Sequence, residues 1–327
     1  MKTSEKILHF LDSHGLTASS ELVNVLGITD RAVRKQLKQL LDTGQVQKSG
    51  RPPKVFYDLA RGSDAVFSQT ALETLPAEAR ALIEREFLYV TPRGTQEVGG
   101  QGFAYWCGQR DLDIVKMADQ YQKIWEKYGD ARTNGLIDGI RKMHTTFDSV
   151  WLDELYYVDF YSIEVFGKTK LGQKLLFAKQ SQNRQMMNEI ADTIHPRIVE
   201  LMKDKHIETV GFIPPTVKRE LQLMKQIEKR LDLPARKLRI EKIKTPVAVP
   251  QKTLTKLEDR IENAQETLVV RAPVGTGNIL LIDDAVGSGA TLNETARQIR
   301  RANPKCGRIV GLAITGSLKG FDVISEV

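Results

Sequence analysis

The alternation of apolar and polar residues near the amino terminus predicts three short helices followed by two strands. Apolar residues at helical spacing predict a first helix that stops before Gly15, and Thr17 stands where it would cap a second helix. Thr29 is placed to cap a third helix. Residues 45–48 and 54–59 then predict two strands joined by a turn rich in glycine and proline. Together these elements predict a helix-turn-helix followed by a hairpin.

The third predicted helix has an apolar face and a basic face. The apolar residues follow the spacing of a buried stripe and are Val33, Leu37, Leu40 and Leu41. The basic residues lie together on the opposite side and are Arg31, Arg34, Lys35 and Lys38. One face is therefore expected to pack and the other to meet solvent or an anionic partner.

This arrangement resembles the winged-helix family over about residues 1–62. Residues 28–61 carry 8 Lys and Arg against 3 Asp and Glu. The resemblance implies that the chain binds duplex DNA, as a homodimer on paired half-sites, through the third helix and the hairpin tip. The alternative is a solvated basic face on a module that contacts protein only; DNA is favoured because the charges lie where a groove and phosphates would meet them. The expected DNA-binding residues are Arg31, Arg34, Lys35, Lys38, Arg51 and Lys54.

Residues 63–150 predict a connecting region to which the sequence assigns no role. Helical periodicity covers residues 71–87 and 114–128, and a glycine-rich segment spans residues 94–108. Its Gly-Gly-Gln-Gly run is a weak phosphate-loop signal, because no strand-to-helix context accompanies it. We expect an ordinary loop packed by aromatic side chains.

From residue 151 the pattern predicts an α/β domain that extends to residue 327. Strands are expected at residues 157–165, 209–213, 278–282 and 308–315, and helices at residues 182–203, 218–231 and 292–301. The alternation predicts a mainly parallel sheet with helices on both faces. Ligands are then expected at the carboxyl ends of the strands.

Composition narrows the setting. The 327 residues carry a net charge of +7, which favours an anionic partner of unspecified kind. The two cysteines, Cys107 and Cys306, form no CxxC pair, so the sequence supports neither a disulfide framework nor a zinc ribbon. No apolar run is long enough for a membrane span. We therefore expect a cytoplasmic protein.

Residues 279–291 carry the most specific signal in the chain. An apolar strand leads to the adjacent carboxylates Asp283 and Asp284, and a loop with two glycines follows. Hydroxyl residues then precede a helix whose amino end is suited to hold a phosphate. The alternative is an ordinary strand-to-helix turn with an aspartate cap, but this requires neither the double acid nor the order that follows it.

These residues resemble the phosphoribosyl pyrophosphate signature of type I phosphoribosyltransferases. The resemblance implies that the acidic pair contacts ribose hydroxyls and that the loop cradles the 5′-phosphate. It also implies that Mg²⁺ is bound through the ligand diphosphate rather than by direct protein ligands. The implied ribose-phosphate-binding residues are Asp283, Asp284, Ala285, Val286, Gly287, Ser288, Gly289, Ala290 and Thr291.

The resemblance extends upstream, so that it covers roughly residues 157–327. Residues 211–219 are expected to end a strand and start a helix, where type I enzymes place the pyrophosphate loop. Residues 250–252 and 260–263 resemble the segment before the signature in the ComF-type branch of the family. The implied pyrophosphate-binding residues are Pro214, Pro215, Thr216, Lys218 and Arg219.

The combined architecture points to a function. The chain lacks the cysteine-rich zinc module of ComF-type proteins, and a winged helix stands in its place, an arrangement similar to the purine-operon repressor family. We expect a DNA-binding transcriptional regulator whose phosphoribosyltransferase-like domain binds phosphoribosyl pyrophosphate or a nucleotide. The alternative is an active phosphoribosyltransferase that joins a base to the ribose and releases pyrophosphate. No catalytic residue is identifiable from the sequence.

Overall fold

The computed structural model describes residues 2–51, 54–60, 72–129, 132–243, 245–271 and 273–317. The chain divides into two compact units. The amino-terminal unit comprises Met1–Glu84 and Tyr89–Met117, and the carboxy-terminal unit comprises Arg85–Leu88 and Ala118–Val327.

The amino-terminal unit begins with three helices and a three-stranded antiparallel sheet in the order β1-β3-β2. Its core contains the apolar faces of the helices, and Val33, Leu37 and Leu40 are buried as the sequence predicts, whereas Leu41 is only half-buried. The elements are α1 (Thr3–His14), β1 (Thr17–Ala18), α2 (Ser19–Leu26), α3 (Asp30–Asp42), β2 (Val46–Arg51) and β3 (Lys54–Leu59).

The helix caps follow the prediction at one position and depart from it at another. The Thr29 hydroxyl accepts a hydrogen bond from the Ala32 amide at 3.3 Å and caps α3. Thr17 does not cap α2, because it belongs to β1 and its hydroxyl donates to the carbonyl of Gly15. Pairing with β3 thus takes Thr17 away from the role that the local sequence suggests.

The hairpin of β2 and β3 is longer than the sequence predicts. The local pattern places residues 49–51 in the turn, but they pair with β3 in register. Gly50 permits this close approach: it has a φ of +86°, and a Cβ atom there would lie 2.3 Å from the carbonyl oxygen of Lys54. Only glycine fits without displacing backbone.

The glycine-rich segment of residues 94–108 forms structure that the loop prediction missed. Residues 99–108 are helical, and the helix buries Phe103 and Trp106. Gly100 donates its amide hydrogen to the Glu84 carboxylate at 3.0 Å, so a protein side chain takes the position that a bound anion would need. The surrounding elements are α4 (Ala77–Glu86), β4 (Leu88–Val90), β5 (Gln96–Val98), α5 (Gly99–Gly108) and α6 (Ile114–Gly129).

The carboxy-terminal unit contains a mixed seven-stranded sheet in the order β12-β11-β15-β16-β8-β7-β6. The first five strands are parallel, and β7 and β6 continue the sheet antiparallel. Its strands are β6 (Arg132–Thr133), β7 (Leu136–Asp138), β8 (Glu154–Phe160), β11 (Ile207–Phe212), β12 (Arg236–Leu238), β15 (Asn278–Val286) and β16 (Ile309–Gly316).

The other elements of this unit are helices and short hairpins. The helices are α7 (Ile140–Thr146), α8 (Lys170–Ser181), α9 (Arg184–Asp204), α10 (Leu223–Leu231), α11 (Leu257–Thr267) and α12 (Ala290–Ala302), with a 3₁₀ turn at Gln251–Thr253. The hairpin strands are β9 (Ser162–Ile163), β10 (Gly167–Lys168), β13 (Ile240–Lys242) and β14 (Leu268–Val270).

Helices cover both faces of the central strands. Leu280 and Ile282 share a core with α8, α9 and α10. The alternate side chains of β15 point to the opposite face. On that face, Leu292 of α12 lies 3.5 Å from where a Cβ atom of Gly311 in β16 would be. Gly311 is paired with Leu281 of the neighbouring strand β15.

Several predicted boundaries are wrong, and two of them concern segments that contribute to the cavity described below. The strand expected at residues 157–165 begins earlier and ends at Phe160, after which β9 starts a separate hairpin. The helix expected from residue 218 begins only at Leu223, so that residues 213–222 connect strand and helix as a loop. Within the described residues, no helix is both long and apolar enough to cross a membrane.

Candidate functional site

A cavity of about 230 Å³ opens at the carboxyl end of β15 in the carboxy-terminal unit. Its walls come from α8 with Tyr161, from the loop before α10, from the 3₁₀ turn with Arg260, and from the strand-to-helix segment of residues 283–292. All nine residues proposed from the sequence to bind a ribose phosphate, Asp283 to Thr291, are among the lining residues.

The acidic pair lies at the cavity end of β15 and is held by backbone and by lysine. The Asp284 amide donates to the Asp283 carboxylate at 2.7 Å. The Asp284 carboxylate forms an ion pair with Lys179 of α8, at 2.8 Å between Oδ2 and Nζ. Both side chains of that pair are about one-fifth exposed (20% and 22%). One carboxylate of the pair thus has a cationic partner from a different element.

Burial makes Asp283 the unusual member of the pair. Loss of hydration raises the pKa of Asp283 well above that of an ordinary carboxyl, and repulsion from Asp284 raises it further. The Asp284 amide, Lys179 and Lys242 oppose this increase in pKa without cancelling it. Burial conversely lowers the pKa of Lys242, while attraction to Asp283 opposes that decrease. Asp283 therefore keeps its proton to a higher pH than an ordinary carboxyl does.

The loop after the acidic pair turns directly into α12. Gly289 has a φ of +89° and is the cap residue of α12; it has no side chain, and the Ser288 hydroxyl accepts a hydrogen bond from the Ala290 amide at 3.4 Å. A side chain at this position would also clash, since a Cβ atom at Gly289 would lie 2.3 Å from the sulfur of the buried Met143. The first-turn amides of a helix lack intrahelical partners. They are consequently disposed to bind an anion in the cavity.

Arg260 of α11 adds a guanidinium beside this loop. The side chain is 5% exposed, and its Nε donates to the carbonyl of Leu254 at 2.8 Å. Nη1 lies 3.3 Å from where a Cβ atom of Gly287 would be. Nη2 has no hydrogen-bond partner among the residues that the structure describes. Burial lowers the pKa of this guanidinium.

The segment proposed to bind pyrophosphate lies partly in the cavity wall. Pro215, Thr216 and Arg219 line it, whereas Pro214 and the exposed Lys218 do not. Gln222 donates to the carbonyl of Arg219 at 3.1 Å and stabilises the loop conformation. The exposed Lys252 on the 3₁₀ turn is a further basic lining residue.

The amino-terminal unit presents the second candidate surface. The four basic residues of α3 are all exposed. Arg34 pairs with Asp30 of the same helix, at 2.9 Å. Lys54 at the start of β3 is exposed, and the side chain of Arg51 lies outside the described part of the chain. These exposed basic residues are Arg31, Arg34, Lys35 and Lys38.

Sequence reasoning missed two cationic members of the cavity. Lys179 lies on α8, a helix that the periodicity analysis did not identify although Leu171, Leu175 and Leu176 mark its apolar side. Arg260 belongs only to a flanking resemblance, and no local pattern indicates that its guanidinium is buried. Lys242 lies in a basic stretch that gives no signal of its own.

Comparison with known proteins yields one partial structural neighbour to report. No family model matches the chain, and no curated protein matches it. A crystal structure of a hypoxanthine phosphoribosyltransferase from Staphylococcus aureus is similar over 44% of this chain and 71% of that chain, with 11% sequence identity and a TM-score of 0.27. A TM-score of this size does not allow a ligand or a residue role to be transferred from that protein to this chain. The mixed, mostly parallel sheet is itself compatible with a phosphoribosyltransferase-like fold.

Proposed function

We propose that the carboxy-terminal cavity binds a phosphorylated ribose, either phosphoribosyl pyrophosphate or a nucleotide. The observation that carries this proposal is the convergence of an acidic pair and the amino end of a helix on one cavity. Carboxylates accept hydrogen bonds from sugar hydroxyls, and helix amides bind phosphate. A ribose 5-phosphate presents both groups on one small molecule.

Each part of the cavity then has a role in binding. Asp283 and Asp284 hold the ribose hydroxyls, and the backbone from residue 285 to residue 290, with the hydroxyls of Ser288 and Thr291, holds the 5′-phosphate. Arg219, another lining residue of the cavity, would then bind a diphosphate.

Magnesium fits this arrangement as a partner of the ligand. Mg²⁺ prefers oxygen ligands and commonly combines one or two carboxylates with substrate phosphates. Asp283 and Asp284 supply carboxylate oxygens at the cavity, while Lys179 already pairs with Asp284. We expect Mg²⁺ to bind mainly through the diphosphate, whose charge it would neutralise.

We further propose that residues 1–62 form a winged helix that binds duplex DNA. The support is the exposed basic face of α3, whose opposite face is buried, together with the antiparallel hairpin that follows it. A helix presenting four cations suits phosphate contact at the major groove, and paired copies of the chain would match paired half-sites.

The two proposals together describe a transcriptional regulator that senses a ribose phosphate. Linkage requires that the ligand changes DNA affinity by the same factor by which DNA changes ligand affinity. The corresponding coupling free energy is typically about 1–3 kcal/mol. The sensor is tested by titrating DNA with and without saturating phosphoribosyl pyrophosphate and Mg²⁺, and then with nucleotides. DNA affinity that is equal under all these conditions contradicts the sensor for these ligands.

An active phosphoribosyltransferase is the second candidate, favoured by the basic residues that line the cavity opening. In that reaction a base nitrogen forms a bond to ribose C1, the bond from C1 to the diphosphate oxygen breaks, and the base nitrogen loses a proton. Arg219 and Lys252 lie where they would stabilise the departing pyrophosphate. Pyrophosphate release measured across a panel of bases separates the candidates: base-dependent turnover supports the enzyme, and binding without turnover supports the sensor.

Ligand binding is tested by calorimetry with phosphoribosyl pyrophosphate and Mg²⁺. Asp283→Asn and Asp284→Asn should each lose about 1.5–3 kcal/mol of binding free energy, which is about tenfold or more in affinity, because a charge-assisted hydrogen bond is lost. Lys229→Gln is a matched control, since it removes an exposed charge outside the cavity lining. Wild-type affinity in both aspartate variants contradicts the proposed site.

DNA binding is tested by fluorescence anisotropy at several salt concentrations. Arg34→Ala combined with Lys38→Ala should weaken binding and reduce the salt dependence by about one unit of slope for each phosphate that is no longer neutralised. Lys203→Ala combined with Lys225→Ala removes the same charge from exposed positions of the carboxy-terminal unit and should change little. Equal affinity of both double variants contradicts the assignment of α3.

A further inference from the structure

Among the described residues, no carboxylate pairs with the buried guanidinium of Arg260. Its Nε donates to the carbonyl of Leu254, and Nη2 has no hydrogen-bond partner in the same part of the chain. Loss of hydration lowers the pKa of this guanidinium. A buried charge is unfavourable unless it is paired, so such a group is typically retained where a ligand supplies the missing charge.

The position of this guanidinium connects it to the phosphate loop. Nη1 lies 3.3 Å from where a Cβ atom of Gly287 would be, and Arg260 lines the same cavity as the amino end of α12. An anion there would meet backbone amides on one side and a planar cation on the other. A guanidinium fork donates two parallel hydrogen bonds to neighbouring oxygens of a phosphate.

The orientation of Arg260 is set by its surroundings rather than by a ligand. The Nε bond to Leu254 fixes one edge of the guanidinium. Gln251 donates to the carbonyl of Arg260 at 2.9 Å and to the side chain of Asn263 at 3.0 Å, which fastens the 3₁₀ turn to α11. A purely structural role would need Nε alone. It gives no reason for a buried and unpartnered Nη2.

We infer that Arg260 is a specificity-determining residue that selects ligands carrying a terminal phosphate monoester. In this assignment Arg260 and the amino end of α12 together bind the 5′-phosphate. Arg219 and Lys252 remain for the diphosphate at the opening. The expected ligands are therefore ribose 5-phosphates and nucleoside 5′-phosphates. Nucleosides, which lack the phosphate, should not bind. The inference rests on the proposed function of the cavity for the identity of the sugar, but not for the phosphate.

The experiment uses inorganic phosphate and ribose 5-phosphate as probes of the full chain. Thermal unfolding and calorimetry are recorded for wild type, Arg260→Gln, Arg260→Lys and the control Lys229→Gln. Wild type and the control should be stabilised by both probes. Arg260→Gln should bind ribose 5-phosphate about tenfold more weakly or worse, because a charged donor is lost. Arg260→Lys should fall between them, since it keeps the charge but not the fork.

Failure of this inference and failure of the proposed function give different results. Stabilisation by phosphate in wild type but not in Arg260→Gln, without binding of phosphoribosyl pyrophosphate to either, supports the phosphate role of Arg260 and contradicts the proposed sugar ligand. Equal binding of phosphoribosyl pyrophosphate and ribose 5-phosphate by wild type and a folded Arg260→Gln overturns the role of Arg260 alone.

A second measurement covers the case in which Arg260→Gln fails to fold. In NMR spectra of arginine-labelled wild type, phosphate should shift one guanidinium resonance. This resonance should be missing from the spectrum of Arg260→Lys, which assigns it to Arg260. If no arginine resonance that is missing from Arg260→Lys responds to phosphate, the inference is wrong.

Discussion

Replacement of Gly289 by alanine tests whether the loop geometry depends on this glycine. Gly289 has a φ of +89°, and an added Cβ atom would lie 2.3 Å from the sulfur and 3.0 Å from the terminal methyl carbon of Met143. Met143 is fully buried, so its side chain has little room to move. Two separate penalties therefore act on the variant, one from the backbone and one from packing.

The expected destabilisation follows from adding these penalties. A left-handed backbone costs an L-residue about 1–2 kcal/mol. Overpacking a core costs about 1–3 kcal/mol, and methionine, which is unbranched and adaptable, places the cost at the low end. We expect Gly289→Ala to lower the free energy of unfolding by about 2–3 kcal/mol.

Urea denaturation followed by tryptophan fluorescence measures this change. Trp151 is a suitable reporter, because its amide donates to Asn293 of α12 at 2.8 Å. The control is Gly275→Ala, at an ordinary φ where the nearest atom would lie 3.7 Å from the new Cβ, and it should change stability by less than about 0.5 kcal/mol.

A double variant separates packing from backbone strain. Met143→Ala removes the clash, so its combination with Gly289→Ala should cost about 1 kcal/mol less than the sum of the single variants. Strict additivity would refute the packing contribution. A Gly289→Ala variant as stable as the Gly275→Ala control would refute the whole account of the loop.

Three further changes probe other features. Wild type should lose unfolding free energy as pH rises from the ordinary carboxyl pKa to the raised pKa of Asp283, because the unfolded chain gives up this proton first. Asp283→Asn lacks this loss, so its unfolding free energy relative to wild type should increase over the same pH range, as measured by denaturation at several pH values. Arg132→Ala should cost about 3–5 kcal/mol of unfolding free energy, since it leaves the buried Asp159 unpaired, whereas the exposed Arg230→Ala should show no measurable change in urea. Thr29→Ala should cost about 1 kcal/mol through loss of the α3 cap, measured by thermal unfolding.

The sequence predicts best those elements whose local signals agree with their packing. The stripe of α3 and the apolar run of β15 are each supported by periodicity and by flanking residues, and both occur nearly where expected. Thr17 shows the opposite case. Its hydroxyl suits a helix cap, but pairing with Tyr57 across the sheet decides its conformation. Strand pairing between distant residues is not visible in a local pattern.

The candidate site divides in the same way. The segment from Asp283 to Thr291 could be identified because its members are adjacent in sequence and share one chemistry. Lys179 and Arg260 reach the cavity from separate helices, and only the tertiary packing of those helices brings them there. The glycine-rich run at residues 99–102 shows that such runs also serve packing, since the carboxylate of Glu84 occupies its helix amino end.

The ends of the seven-stranded sheet bear on how copies of the chain associate. The outermost strands are Arg132–Thr133 and Arg236–Leu238, only 2 and 3 residues long, beside central strands of 8 and 9 residues. Arg236 and Lys237 on the second of these are exposed. Short and charged outer strands offer few free backbone groups to another chain. We therefore expect extension of the sheet through these two strands to be disfavoured, whether into fibrils or between copies of the chain.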